Sequence, residues 1–541
     1  MTPYTWLAGT GFWSTSTKWS PSGVPTKTDA VLINATGSTY SVNINSAAFA
    51  YSLAEGSTSG TLNATVNDGS SLTIGVGGFS LSGGAFNVNS GGTLTVNGTF
   101  ALSAAGKFTL NSGGTLAATT TTVASGATFN WNGGTISGGT IDIAALNLSA
   151  NSASGYIDNG AQVKNAAGTG PGTINDTGYN SYLFFDNTQT FANATINLGS
   201  TAGYYSFLYE NDLTGTGTVL TLASSVTINV TGSAQITGNG YADDGIVNQG
   251  TIHQTADYLY IGGNSFTNSG TINDSGVDDT LTIESTIFSN SGTIKVSGSG
   301  SALNITPGGS TWSNTGSIQI SGGAAAYLGG DFTLASLGSV TDSSGAIYLS
   351  GTLENAGGVL DGSGGLGDII LDGGTVNGGT AKPSGLVFST TAGTLDDVLY
   401  DGTLDLSASG AAVHLANGTQ VKNAAGTGPG TINDTGYYSY LFFDNTQTFA
   451  NATINLGNTT GYYSFLYEND LTGTGTVLTL ASSVTINVTG SAQITGDGSI
   501  VNQGTINDSG VDDTLTIVST SFSNSGTIKV SGSGSTINIT P

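Results

Sequence analysis

The 541-residue sequence predicts an all-β fold, a single-stranded parallel β-helix or β-solenoid with about 20–25 residues per coil. Two short repeats and one long duplication carry that prediction. Leu72, Leu94, Leu116 and Ile136 hold the same place in SSLTI, GGTLTV, GGTLAA and GGTISG, at spacings of 22, 22 and 20. An aromatic-[ST]-N-[ST]-G-[TS]-I motif returns as FTNSGTI (Phe266 to Ile272), FSNSGTI (Phe288 to Ile294) and WSNTGSI (Trp312 to Ile318). The related VNQGTI ends at Ile252. Such a period suits three short strands joined by turns, and the β-branched residues and Gly, Asn and Asp turn signals favour an all-β coil. Residues 163–238 recur at 421–496 with an offset of 258 and three differences, Asn180, Ser200 and Ala202 becoming Tyr438, Asn458 and Thr460. After a four-residue length change, the second copy lacks a 20-residue stretch equivalent to TIHQTADYLYIGGNSFTNSG. Both copies then continue through TINDSGVDDTLTI, at Thr271 and Thr505. A solenoid loses one coil and restacks, whereas a closed barrel loses its closure.

Along the chain, residues 1–35 read as a Trp-rich N-terminal cap with entry strands, and 36–160 as solenoid rungs. Residues 161–309 hold the first copy of the duplicated unit, 310–417 are connecting rungs, and 418–541 hold the second copy, one coil shorter and with an uncapped end. Trp6, Trp13 and Trp19 cover the open end of the first coil; the competing reading is a sugar site. Within the rungs, Ile, Leu, Val and Phe point inward, each contributing roughly 1.5–3 kcal/mol when fully buried. Asn268, Asn290 and Asn314 are placed to form an amide ladder, with Gly270, Gly292 and Gly316 at positive φ on the corners. About 24 coils at roughly 4.8 Å each make a rigid rod on the order of 115 Å long.

Composition narrows the function. The net charge is −26, with eight Lys and no Arg. That disfavours nucleic acid, whose backbone is bound by clustered cations, and anionic membrane surfaces. No Cys is present, which removes disulfide frameworks and thiolate metal sites. No run of 18 apolar residues predicts a membrane-spanning helix. The opening MTPYTWLAGTGFW lacks the basic and apolar regions of a secretory signal, so either export is directed from elsewhere or the chain is a fragment; the ending INITP (Ile537 to Pro541) reads as an unfinished stack, which supports a fragment or an incomplete gene product.

The opening Trp6-x6-Trp13-x5-Trp19-Ser-Pro-Ser-Gly-Val-Pro resembles the start of passenger regions in bacterial autotransporter-type and other β-strand-repeat surface proteins. LDDVLYDGTLDLSASGAAVHLANGT (Leu395 to Thr419) and YLFFDNTQTFANATINLG (Tyr182 to Gly199) are similar to rungs of that family. The resemblance implies a right-handed helix, secretion to the outer surface of a bacterium, and an adhesive role toward glycans or proteins of a host or neighbouring cell. An uncapped last coil adds end-to-end self-association to the expected contacts.

The aromatic segments are the first place to look for a ligand. GYNSYLFFDN (Gly178 to Asn187) and GYYSFLYEND (Gly203 to Asp212) align at a spacing of 25, with Leu183 on Leu208; in the second copy Leu441 lies on Leu466. Tyr179, Tyr182, Tyr204 and Tyr205, with Tyr437, Tyr440, Tyr462 and Tyr463, form a glycan platform in this reading. Asp186, Glu210, Asp444 and Glu468 then accept hydroxyls. The competing reading is an aromatic ladder closing a wider coil, phenol tips in water. Acidic pairs at Asp243-Asp244, Asp278-Asp279, Asp396-Asp397 and Asp512-Asp513 suit a polysaccharide-acting β-helix lyase or hydrolase. With no Arg and only His253 and His414, solvated turns account for them better, and weak calcium binding is the remaining reading. An ice-binding solenoid needs Thr-x-Thr in register; of Ser71-x-Thr73, Thr93-x-Thr95, Thr115-x-Ala117 and Thr135-x-Ser137 only one fits. The expected function is therefore a structural or adhesive surface protein, with no catalytic residue, cofactor or metal site assigned.

Overall fold

The structure is a computed structural model and describes residues 3–35, 39–56, 62–309, 311–363 and 366–540. It is nearly all β, with 55% strand and 2% helix, in parallel stacked coils that make a β-solenoid of about 23 turns. Two compact units divide the chain, Met1–Ser301 and Ala302–Pro541.

In the first unit a coil runs through three strands, each on its own parallel sheet. One such coil is Gly172–Asp176, Tyr182–Asp186 and Gln189–Phe191; the next is Ala194–Leu198, Ser206–Asn211 and Val219–Leu222. Each strand sits directly on its predecessor, so residues one coil apart become neighbours. Leu72 pairs with Leu94, Leu94 with Leu116, and Leu116 with Ile136, as the spacings predict. Ile252 lies on Ile272 and Phe266 on Phe288. All of these side chains are buried. The period-2 alternation of a strand chooses the inward face, and the coil period chooses the neighbour.

The missing coil is visible in the register. In the first unit Ile228 lies on Ile252, and Ile252 on Ile272. In the second unit Ile486, the counterpart of Ile228, lies directly on Ile506, the counterpart of Ile272. One whole rung has gone and the stack has closed over it.

Coil length is less uniform than the repeats suggest. Asn197 and Asn229 are neighbours across 32 residues, and so are Asn455 and Asn487. The additional residues leave the sheet at two corners, 199–205 and 212–218. The second excursion is closed on itself by Asp212, whose carboxylate accepts from the Thr214 hydroxyl and from the backbone N–H of Thr214, Gly215 and Gly217. Those donors, the Thr214 hydroxyl foremost, hold the carboxyl down at about 2. A carboxylate so filled by N–H and O–H donors has little left to offer a cation.

The asparagine ladder forms inside the first unit. Asn248 Nδ2 donates to Asn268 at 2.8 Å and Asn268 Nδ2 to Asn290 at 2.7 Å, all three buried. In the second unit Asn314 Nδ2 donates to the carbonyls of Leu337 and Ser339. Asn268→Ala strands the buried Asn248 amide, so it is expected to cost about 2–3 kcal/mol in denaturant unfolding; a loss below about 0.5 kcal/mol would show that the ladder adds no stability. Gly270 and Gly292 correct the expectation of positive φ. Neither is left-handed; a Cβ would lie 2.1 Å from the Gly250 oxygen at Gly270 and 2.0 Å from the Gly270 oxygen at Gly292. Close approach of successive coils, not turn geometry, requires glycine there.

At the N-terminal end, Trp6 pairs antiparallel with Trp19. The rings of Trp6 and Trp13 meet Trp19 edge-on at 4.8 and 4.9 Å, and all three are buried. Their faces are spent on one another, which fits the lid reading and leaves none open to a sugar.

Several carboxyls also face inward. Asp176 and Asp434 end the matching strands Gly172–Asp176 and Gly430–Asp434 and are fully buried. Ser181 and Ser439 donate hydroxyls to them, while the second oxygen of each carboxyl has no partner. Burial pushes Asp176 up to about 7 and Asp434 up to about 8. Asp274, buried and beside Asp279, is likewise pushed up to about 7.

Candidate ligand-binding face

Three consecutive strands of the first unit, Tyr182–Asp186, Ser206–Asn211 and Ala234–Gly238, build an outward grid. Leu183, Leu208 and Ile236 stack inward and are fully buried. Alternation then sends the flanking residues out. One row is Tyr182, Phe207 and Gln235; the next is Phe184, Tyr209 and Thr237. Tyr156 precedes Phe184 in its row.

Ring geometry sorts these side chains. Tyr182 and Phe207 lie parallel at 4.3 Å, and Tyr156 and Phe184 at 4.6 Å, so each covers a face of the other. This is the ladder reading, and it leaves ring edges outward. Tyr209 breaks the pattern, being turned 66° from Phe184 at 5.3 Å. An open groove of about 610 Å³ lies over this part of the grid. It is bounded by Tyr209 and by Tyr241, on the loop 239–244, with Gln235, Asn211 and Asn239 supplying amides. Phe184, Phe207, Tyr209, Gln235 and Tyr241 were not among the sequence-level candidates. The Leu183-on-Leu208 register combined with strand alternation places the first three outward beside Tyr182.

The other tyrosines line a corner beside the grid. Tyr179 and Tyr204 meet at 4.5 Å, with Tyr204 57% exposed, and Tyr205 approaches Tyr258 at 5.8 Å. In the second unit Tyr437 meets Tyr462 at 4.6 Å, Tyr440 stacks on Phe465 at 4.6 Å, and Tyr463 lies 6.1 Å from Phe465.

The four carboxylates stand elsewhere. Asp186, Glu210, Asp444 and Glu468 are all buried, Glu210 and Glu468 completely. Glu210 lies in register on the inward Phe185, and alternation along Ser206–Asn211 turns it away from Tyr209. It accepts from the Thr218 hydroxyl, and burial pushes it up to about 7. Glu468 accepts from Thr476 and from the Gly498 N–H. Asp186 accepts from Asn211 at 2.7 Å and is pushed by burial up to about 6. These residues build the wall behind the aromatic rows and do not face a ligand on it.

All three differences within the duplication cluster at the tyrosine corner. Asn180 receives its backbone partner from Tyr205, and positions 200 and 202 lie on the loop that leads to Tyr204. Asn180 and Tyr438 both adopt left-handed backbone, at φ 53° and 52°. Asn tolerates that conformation and Tyr does not, at a cost of roughly 1–2 kcal/mol. Tyr438 is 42% exposed and gathers with Tyr437, Tyr462 and Phe465.

The acidic pairs are corners. Asp243, Asp278, Asp397 and Asp512 each have left-handed φ. His253 is half-buried, its Nε2 3.1 Å from the Ser275 hydroxyl. His414 takes the place of Tyr156 in the second unit, lies parallel to Phe442 at 4.4 Å, and meets Asp444 through Nδ1 at 2.7 Å. Among the described residues no cluster of three or more His, Cys, Asp or Glu side chains is arranged to hold a metal ion, and no helix is long and apolar enough to cross a membrane.

No protein-family model matches this chain, no curated protein matches it, and no solved structure matches it.

Proposed function

We propose that this chain is a structural and adhesive solenoid of the cell exterior, whose stacked coils present a lateral face to surface glycans or proteins. The observation that carries the reading is the outward aromatic grid, present in both copies and bordered by the corner where the three substitutions between residues 163–238 and 421–496 fall. A closed ladder needs no exposed tyrosine in strained backbone, yet Tyr438 is one. Exposed aromatic side chains on a rigid sheet combine large contact area with little ordering cost.

The test is retention of the full chain on immobilised polysaccharides, glycoproteins and whole cells. Retention is expected, with Tyr204→Ala plus Tyr462→Ala reducing it at least fivefold while the melting temperature stays within a few degrees. Absence of retention on every support would sink the reading. A second reading, a polysaccharide-acting enzyme, is favoured by the His414–Asp444 pair beside the second aromatic face. Release of reducing ends or unsaturated sugars that disappears in His414→Ala would establish it instead.

A further inference from the structure

The geometry points to a binding groove for a short uncharged oligosaccharide that exists only in the first copy of the duplication, over Phe207, Tyr209, Gln235 and Tyr241. This inference rests on the lateral-face reading above and assigns it a place and a ligand class.

The groove depends on a loop the second copy lacks. Asn239 to Gly245 reads NGYADDG, and its counterpart, Asp497 to Ser499, reads DGS. In the first unit that loop separates Ala234–Gly238 from Gly245–Asn248 and carries Tyr241 outward, 52% exposed. Its base is fixed: Asp244 is buried and accepts from the backbone N–H of Tyr241 at 3.1 Å and of Thr218 at 3.1 Å. The loop is thus a built wall tied to the coil beneath. In the second unit the chain runs on as one strand, Ser491–Asn502, with only a register shift between Gly496 and Ser499. Tyr467, the counterpart of Tyr209, gives its hydroxyl to Asp497 at 3.0 Å. The same aromatic grid is therefore walled in one copy and open, with a carboxylate on its tyrosine, in the other.

The lining selects the ligand. Tyr209 and Tyr241 are the two rings of the groove that stand outside the parallel stacks, so they are the ones that can receive the C–H face of a pyranose. Gln235, Asn211 and Asn239 offer amide donors and acceptors together, which suits hydroxyls. A volume of about 610 Å³ lies within the usual range of small-ligand sites, and holds roughly two to three sugar rings. No lysine lines the groove, Asp243 stands exposed on its wall loop, and the whole chain carries −26. An acidic sugar would meet repulsion without a compensating cation. An uncharged one meets none.

The test uses the full chain and titration calorimetry with neutral oligosaccharides (gluco-, xylo-, manno- and N-acetylglucosamine tri- and tetrasaccharides) beside acidic galacturonate and alginate oligomers. Binding of at least one neutral oligosaccharide is expected. Tyr241→Ala is expected to weaken it about tenfold, and replacing Asn239–Gly245 with Asp-Gly-Ser to abolish it. That replacement copies a link the second unit already folds with. Gln493→Ala, at the position in the second copy that matches Gln235, should leave it unchanged. Equal affinity in the loop replacement, or binding of acidic oligomers alone, would overturn the groove while leaving the lateral-face reading standing. So would retention on whole cells without any oligosaccharide binding. Failure of all retention would remove both.

Discussion

Raising the pH from 5 to 9 is expected to lower the melting temperature by on the order of 10 °C, the reverse of ordinary acid denaturation. The cause is the set of inward carboxyls. Burial holds Asp176, Asp274 and Glu210 at about 7, Asp434 at about 8 and Asp186 at about 6. An unfolded aspartate ionises near 3.8. Below that value these groups are protonated in both states and their contribution is fully present. As the pH climbs through 6 to 8, the unfolded chain has already released protons that the folded chain still holds, and stability falls. For Asp434 alone the difference corresponds to on the order of 5 kcal/mol. Asp212 and Asp470, both held down at about 2, act only below the usual aspartate range and do not offset the loss. Asp176→Asn and Asp434→Asn keep an oxygen for the serine hydroxyl and remove the ionisation. Each should raise the melting temperature at pH 9 by several degrees and change it little at pH 5, read by circular dichroism. A melting temperature that is flat or rising from pH 5 to 9 would contradict the account.

Deleting residues 251–270 is expected to leave a folded protein, its melting temperature within about 5 °C of the parent, while deleting 251–260 alone abolishes cooperative unfolding. The first deletion reproduces the junction VNQG-TINDSG that the second copy already uses. It brings Ile272 onto Ile228 as Ile506 lies on Ile486. The removed Ile252, Leu259, Ile261 and Phe266 are buried, so their contribution is lost, but no cavity remains because the neighbours meet. The second deletion removes half a coil and sets every following side chain against the wrong partner. A half-coil deletion that melts like the parent would mean that register is not fixed by stacking.

Much of this architecture is legible in the sequence because two periods act together. The strand period tells which of Leu94 and Thr95 points inward, and the coil period tells that Leu94 meets Leu72. The same two periods place Phe184 and Tyr209 outward, yet an aromatic side chain is more readily assigned to the core. Glu210 fails in the opposite sense. Alternation along SFLYEN turns it inward, but a charged residue is expected at the surface until Thr218 and its burial are seen. Gly270 looks like a turn glycine because close approach between coils leaves no separate mark in sequence. The His414–Asp444 contact spans 30 residues and arises only from stacking. Tyr241 lies in a seven-residue link whose counterpart in the second copy has three residues, so neither the strand period nor the coil period gives the direction of its side chain.

The duplication also bears on avidity. One polypeptide carries the aromatic grid twice, once in each unit. For a polymeric ligand held by one grid, meeting the other becomes an intramolecular event at an effective concentration set by the chain that joins them. If both faces hold a glycan as proposed, a polymer engaged by the two together would stay bound longer than one engaged by either alone, and its residence time would rise with glycan length without any gain in affinity for a single sugar.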